Sequence, residues 1–159
     1  KLNKITGRKA VVVFTDGVDT TSNGAGYDTT LAFAEESDTV IFPIYYNTFD
    51  WNKADDKPRS ILLNTLGTTP EEYALGRKYL LELAEYTGGR VFQAGSTTDS
   101  LTAAFQGISE ELSRQYNLGY IPANGGSSGQ RKEIRVRVDR PNLIIRARDS
   151  YIVRSSRKP

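Results

Sequence analysis

Residues 11–19, Val-Val-Val-Phe-Thr-Asp-Gly-Val-Asp, run four apolar side chains into Asp16, a glycine and, three places after Asp16, a second carboxylate at Asp19. A strand that ends on a carboxylate ahead of a glycine turn presents an acceptor at the rim of a sheet. Such a group can hold a cation, receive a phosphoryl group or tie down backbone donors. The residue types that are missing narrow the choice. The chain has no cysteine and no histidine, which excludes disulfides, zinc sites of the Cys/His type, and nucleophiles of the cysteine or Ser-His-Asp kind. A metal at Asp16 must therefore be hard and oxygen-bound: magnesium, calcium or manganese.

Two phosphoryl readings compete for Asp16. Chemistry of the haloacid dehalogenase type needs Asp-x-Asp at the strand end, and the spacing here is Asp-x-x-Asp, one residue too far for both side chains to converge. A receiver-domain phospho-acceptor needs an acidic pair at the end of an earlier strand and a lysine at the end of a later one. No acidic pair precedes Asp16, and the next apolar run ends in Tyr45-Tyr46.

The elements that must position Asp16 are legible in outline. Lys9 to Thr15 is a β-branched run without alternation, the pattern of a parallel strand buried on both faces. A loop with Asn, Gly and Ser follows, and Asp28 is placed to cap a helix over TTLAFAEES. Thr39–Tyr46 reads as a second buried strand, in which Pro43 predicts a bulge or an edge. After a polar loop over about 47–70, Pro70 with Glu71 and Glu72 opens a helix. Its stripe is Leu75, Tyr79, Leu80, Leu83 and Ala84, and Gly88-Gly89 closes it. A short strand, RVFQA, precedes a helix capped within Ser96–Asp99, with Leu101, Phe105, Ile108 and Leu112 inward. The order β-α-β-α-β-α predicts an α/β fold, a Rossmann-like open and mostly parallel sheet with flanking helices.

Beyond residue 115 the pattern changes. QYNLGYIP, KEIRVRVDR and NLIIRARDSYIVR read as antiparallel strands separated by Gly/Ser and Arg140-Pro141-Asn142 turns. The chain thus divides into an α/β part, 1–115, and a β extension, 116–159, packed on the same domain. Charge divides the same way: residues 1–130 hold 11 Lys/Arg against 16 Asp/Glu, and residues 131–159 hold 10 against 3. No run of about 18 apolar residues exists to span a membrane. The opening KLNKITGRKA starts in mid-pattern, as a fragment or a processed product does.

The run GRKAVVVFTDGVDTTS resembles the fourth-strand segment of von Willebrand factor A-type domains, where Thr-Asp-Gly contributes to a metal ion-dependent adhesion site. TVIFPIYY sits where that family has its fifth strand, and LLELAEYTGGRVFQA is similar to its penultimate helix and the strand after it. With LTAAFQGISEELSRQYNLGYIP and KEIRVRVDRPNLIIRARDSYI, the likeness is to a bacterial, acidobacterial-type subgroup and spans about residues 8–153. The resemblance implies a protein-binding, adhesion-type module and no enzyme. It also implies an extracytoplasmic setting and a Mg²⁺ ion held partly by Asp16, with Thr15 and Gly17 as scaffold. The family's first metal loop, Asp-x-Ser-x-Ser, has no counterpart in residues 1–10. The likeness therefore covers the C-terminal half of a complete A domain. Mg²⁺ is expected to bind in the intact domain and not to this fragment, where Asp16 has only Asp19 or a loop carbonyl for company.

Other residues offer further binding chemistry. Arg135, Arg137, Arg146, Arg148 and Arg154 alternate along the C-terminal strands. They form either a basic face for acidic glycan or nucleic acid or a solvated face paired with the acidic body. Aromatic interleaving is too thin to support base stacking, which makes nucleic acid the weaker partner. Trp51, beside Phe49 and Asp50 on the long loop, is a candidate contact for a protein ligand. In A-type domains the strand matching Ala10–Thr15 lies beside a first strand absent here, so its edge is expected to be open. That edge predicts a homodimer, unless the C-terminal ribbon covers it.

Overall fold

A computed structural model describes residues 6–19, 22–48 and 69–153. Trp51, Phe49, Asp50 and Arg154 lie outside the described residues. The apolar β-branched runs form β1 (Lys9–Thr15) and β2 (Thr39–Tyr46), which pair in parallel from Lys9↔Thr39 to Thr15↔Tyr45. A short β3 (Phe92–Ala94) adds to the other side of β2, giving a three-stranded parallel sheet in the order β1-β2-β3. Helices α1 (Tyr27–Glu36), α2 (Pro70–Thr87) and α3 (Thr98–Ser113) flank it, so the content is mixed α/β. None of the described helices is long and apolar enough to cross a membrane.

The two sheet faces are covered by different helices. Leu31 and Ala34 of α1 and Leu83 of α2 pack together with Ile41 of β2. On the opposite face, Ala104 and Ile108 of α3 close over Phe42, Ile44, Phe92 and Ala94. β1 was expected to be buried on both faces, and it is not. Ala10 packs against the α3-side core, but Val12 and Phe14, on the same face, are 40% and 55% exposed. The cover that α3 gives to β2 and β3 stops short of them. α3 itself presents Leu101, Ala104, Ile108 and Leu112 inward, while Phe105 is exposed. Ala104 takes the inner position expected for Phe105, since 101, 104, 108 and 112 fit the helical period as well as 101, 105, 108 and 112 do.

Local signals explain the helix ends. Thr69 accepts from the Glu72 N–H at 3.1 Å while Glu72 Oε2 accepts from the Thr69 N–H at 3.0 Å, a capping box with Pro70 behind it. Gly88 adopts φ 77° to end α2. Asp28 does not cap α1: Gly26 holds that position, and Asp28 falls in the first turn, where its charge still suits the helix N-terminus. Pro43 makes no bulge, since the β1–β2 register runs through it unbroken, but on the β3 side it stands at an edge. Backbone N–H groups two residues apart on a strand point to the same side. The Ile41 N–H goes to Thr87 Oγ1 at 3.0 Å, so the donor missing at Pro43 faces a stretch where β3 has not yet begun.

The C-terminal strands pair much less than their alternation predicts. β4 (Arg131–Glu133) and β5 (Ser150–Ile152) form an antiparallel pair from Arg131↔Ile152 to Glu133↔Ser150. One further bond runs from the Ile134 N–H to the Asp149 carbonyl at 2.6 Å. Counted onward, this register meets at Pro141-Asn142, where Asn142 has φ 60°, the left-handed residue of a tight turn. The same count sets Arg135 opposite Arg148 and Arg137 opposite Arg146. Like charges directly opposed work against pairing. Residues 116–122, also expected as a strand, carry no ladder, and Tyr116 and Ile121 are exposed.

Candidate functional site

β1 delivers Asp16 to the carboxyl-terminal rim of the parallel sheet, the end at which open α/β sheets bind ligands. The turn that follows is built from local donors. The Gly17 N–H bonds Thr15 Oγ1 at 3.0 Å and the Val18 N–H bonds Asp16 Oδ1 at 3.1 Å. Gly17 has φ 81°, a conformation that a side chain resists. Its Cα also lies against α2: a Cβ added there would meet the Gly76 carbonyl oxygen at 2.5 Å, and one added at Gly76 would meet the Gly17 carbonyl carbon at 2.6 Å. The two glycines let loop backbone and helix backbone touch.

The other carboxylate oxygen is engaged from the next strand. Thr48, two residues past β2, donates its hydroxyl to Asp16 Oδ2 at 2.6 Å, and Tyr73 OH of α2 lies 2.9 Å from Thr48 Oγ1. A threonine hydroxyl has one proton, so the direction that satisfies this chain runs from Tyr73 to Thr48 to Asp16. Three elements thus converge on one carboxylate. Thr15, Asp16 and Gly17 are half-buried, whereas Asp19 is exposed and accepts from the Ser22 N–H at 2.9 Å.

Magnesium takes near-octahedral oxygen coordination and gives up water reluctantly. Asp16, Thr48 and Tyr73 supply one charged group and two neutral hydroxyls, and both Asp16 oxygens already accept from protein donors. Among the described residues no group of three or more acidic, His or Cys side chains gathers to hold a metal. The described residues do not fit a magnesium site by themselves.

The arginines divide into two pairs. Arg146 bonds Glu111 on α3, and Arg148 donates to the backbone carbonyls of Glu35 and Ser37 at the end of α1. Arg135 and Arg137 are exposed and make no ion pair with another described residue. Sequence reasoning overlooked Glu35, whose buried side chain accepts from Arg131 Nη2 at 2.6 Å and from Ser150 Oγ at 2.8 Å. It also overlooked Thr48, Tyr73 and Gly76. Of these, only Gly76, a glycine inside a helical pattern, carried a signal.

No family model matches this chain, and no curated protein matches it. Among solved structures it is similar to an uncharacterized membrane spanning protein from Vibrio fischeri, with 18% identity and a TM-score of 0.44. That likeness covers 66% of this chain and 47% of the other, so it extends over about half of that protein's length.

Proposed function

We propose that this chain is the C-terminal half of a von Willebrand factor A-type, Rossmann-like module that binds a protein ligand and catalyses no reaction. In a complete A domain, Asp16 would join oxygens from other loops around a Mg²⁺ ion that bridges to a ligand carboxylate. The observation that carries this reading is the placement of Asp16: a parallel strand brings it to the sheet rim, and Thr48 and its own turn fix its orientation. The metal part is tested by isothermal titration. The chain alone is expected to show no micromolar site for Mg²⁺ or Mn²⁺. A micromolar site lost in Asp16→Ala would mean that it supplies the full ligand set after all. The binding part is tested in a complete domain, where ligand capture is expected to vanish with chelator and in the same variant.

A second reading rests on Arg135 and Arg137, which stand exposed on a basic segment. Here the ribbon binds a polyanion such as an acidic glycan. Such binding falls steeply with added salt and ignores chelator, which separates it from the first reading. In either case β1 ends the order β1-β2-β3 among the described residues, and the ribbon contacts α1 and α3 through its arginines. We infer a homodimer through Ala10–Thr15, and light scattering at micromolar concentration is expected to show twice the 17.6 kDa chain mass. A monomer with slow amide exchange at Val11–Phe14 would exclude it.

A further inference from the structure

The hairpin ends in a tip unlike its base. Leu143, Ile144 and Ile145 are consecutive and all on the surface, at 53%, 84% and 41% exposure. Val138, opposite Ile145 in the counted register, is also exposed. Three consecutive residues that are all exposed do not share one covered side, so the tip presents apolar surface in more than one direction. Packing one side on a protein surface would leave another in water. Behind the tip stand Arg135 and Arg137, and Arg140 stands beside Leu143 at the turn; all three are exposed and none is in an ion pair with a described residue. Asp139, also exposed, is the carboxylate among them and stands opposite Ile144 in the counted register. The charge of the whole chain is arranged in the same sense: residues 131–159 carry a formal +7 and residues 1–130 carry −5.

We propose that this tip anchors the protein to the surface of an anionic bilayer. Leu143, Ile144 and Ile145 enter the interface, and Arg135, Arg137 and Arg140 meet the lipid phosphates. A bilayer interface surrounds an inserted tip on every side, which suits apolar surface in more than one direction. Arginine keeps its charged end among headgroups while its stem lies along apolar surface. An anionic surface attracts the hairpin and repels the acidic body, so approach is tip-first. The tip lacks a ladder to satisfy its backbone, which limits it to the depth that water still reaches. The inference goes beyond the binding role proposed above and does not depend on Asp16.

Co-sedimentation of the full chain with phosphatidylcholine vesicles, with and without phosphatidylglycerol, tests it. Binding is expected to the anionic vesicles, and Leu143→Ser with Ile144→Ser is expected to reduce it to the level on neutral lipid. Replacing Arg135, Arg137 and Arg140 with Ser is expected to do the same. In a Trp51→Phe background, Ile144→Trp is expected to shift its emission to the blue with anionic vesicles and not with heparin or DNA. No sedimentation would overturn the proposal, as would binding that survives the Ser substitutions at Leu143 and Ile144. So would a light-scattering oligomer that those two substitutions dissolve, because the tip would then be an interface between copies.

Discussion

β2 and the C-terminal ribbon are both β structure joined to the same helices, but the contacts differ in kind. β2 is held by packing: Ile44 is fully buried, and Phe42 meets Phe92 edge-on at 6.2 Å between ring centres. The ribbon is held by directed polar bonds, with Arg131 and Ser150 on the buried Glu35 carboxylate, Arg148 on the last carbonyls of α1, and Arg146 on Glu111. Its apolar residues Ile134 and Val136 lie on the other face, half-buried. Apolar burial supplies free energy without direction, whereas a buried carboxylate with two donors accepts one placement only. The body is therefore stabilised by its core, and the ribbon is positioned by its charges.

The sharpest way to break that contrast is to remove one group from each region. Ile44→Ala should cost about 2–5 kcal/mol and lower Tm by about 5–15 °C in thermal unfolding. An equal loss in Ile134→Ala would show the ribbon to be held by packing as well. Glu35→Ala should cost about 1–3 kcal/mol, because Arg131 loses its carboxylate partner and the Ser150 hydroxyl keeps only the longer bond to Asp149 Oδ1. Its signature is regional: proteolysis should open 131–153 before the sheet, and uniform loss of both regions would contradict positioning by charge.

A smaller effect probes a polar contact inside the body. Tyr27 donates to Glu82 Oε2 at 2.8 Å, and burial first, then that carboxylate, push its phenol up to about 12. Because the folded value is raised, its contribution to stability is complete below the unfolded value near 10 and disappears as pH rises through about 12. Tyr27→Phe should therefore lose less stability than the parent between pH 10 and 12, and one late step should leave the ultraviolet titration of tyrosine. Smallest of all, Arg135→Ser with Arg137→Ser should change stability by no more than about 1 kcal/mol, as for exposed charges. A larger loss in urea titration would mean that these arginines also position the ribbon.

The sheet and α2 were legible because their signals are local. The unbroken apolar run Thr39–Tyr46 gives β2 its bounds, and Pro70, Glu72 and Gly88 mark both ends of α2. Asp16 at a strand end was legible for the same reason. Its partner Thr48 was not, because nothing near it in sequence marks it. Only the register Thr15↔Tyr45 brings the chain beyond β2 alongside Asp16. The ribbon misled for a different reason. Ile134, Val136 and Val138 alternate as a paired strand does, but pairing depends on what stands opposite, and the β4–β5 register counted onward would set arginine against arginine. Glu35 looked like one of several solvent-facing acids on α1, and it is buried only because Arg131 and Ser150 arrive from about a hundred residues away.

The contact between Gly17 and Gly76 has a mechanical consequence. Side chains can rotate away from a push, but here backbone meets backbone, so the Asp16 turn and α2 shift together or not at all. α2 is a stiff rod of 18 residues, about 27 Å long. At its far end Gly89 touches the Ile41 carbonyl, and Gly88 lies against the backbone of Ala147 and Arg148. A tug on the turn would therefore act on a lever whose opposite arm rests on the ribbon. An amide-exchange difference at Ala147 and Arg148 between the parent and Asp16→Asn would register that motion.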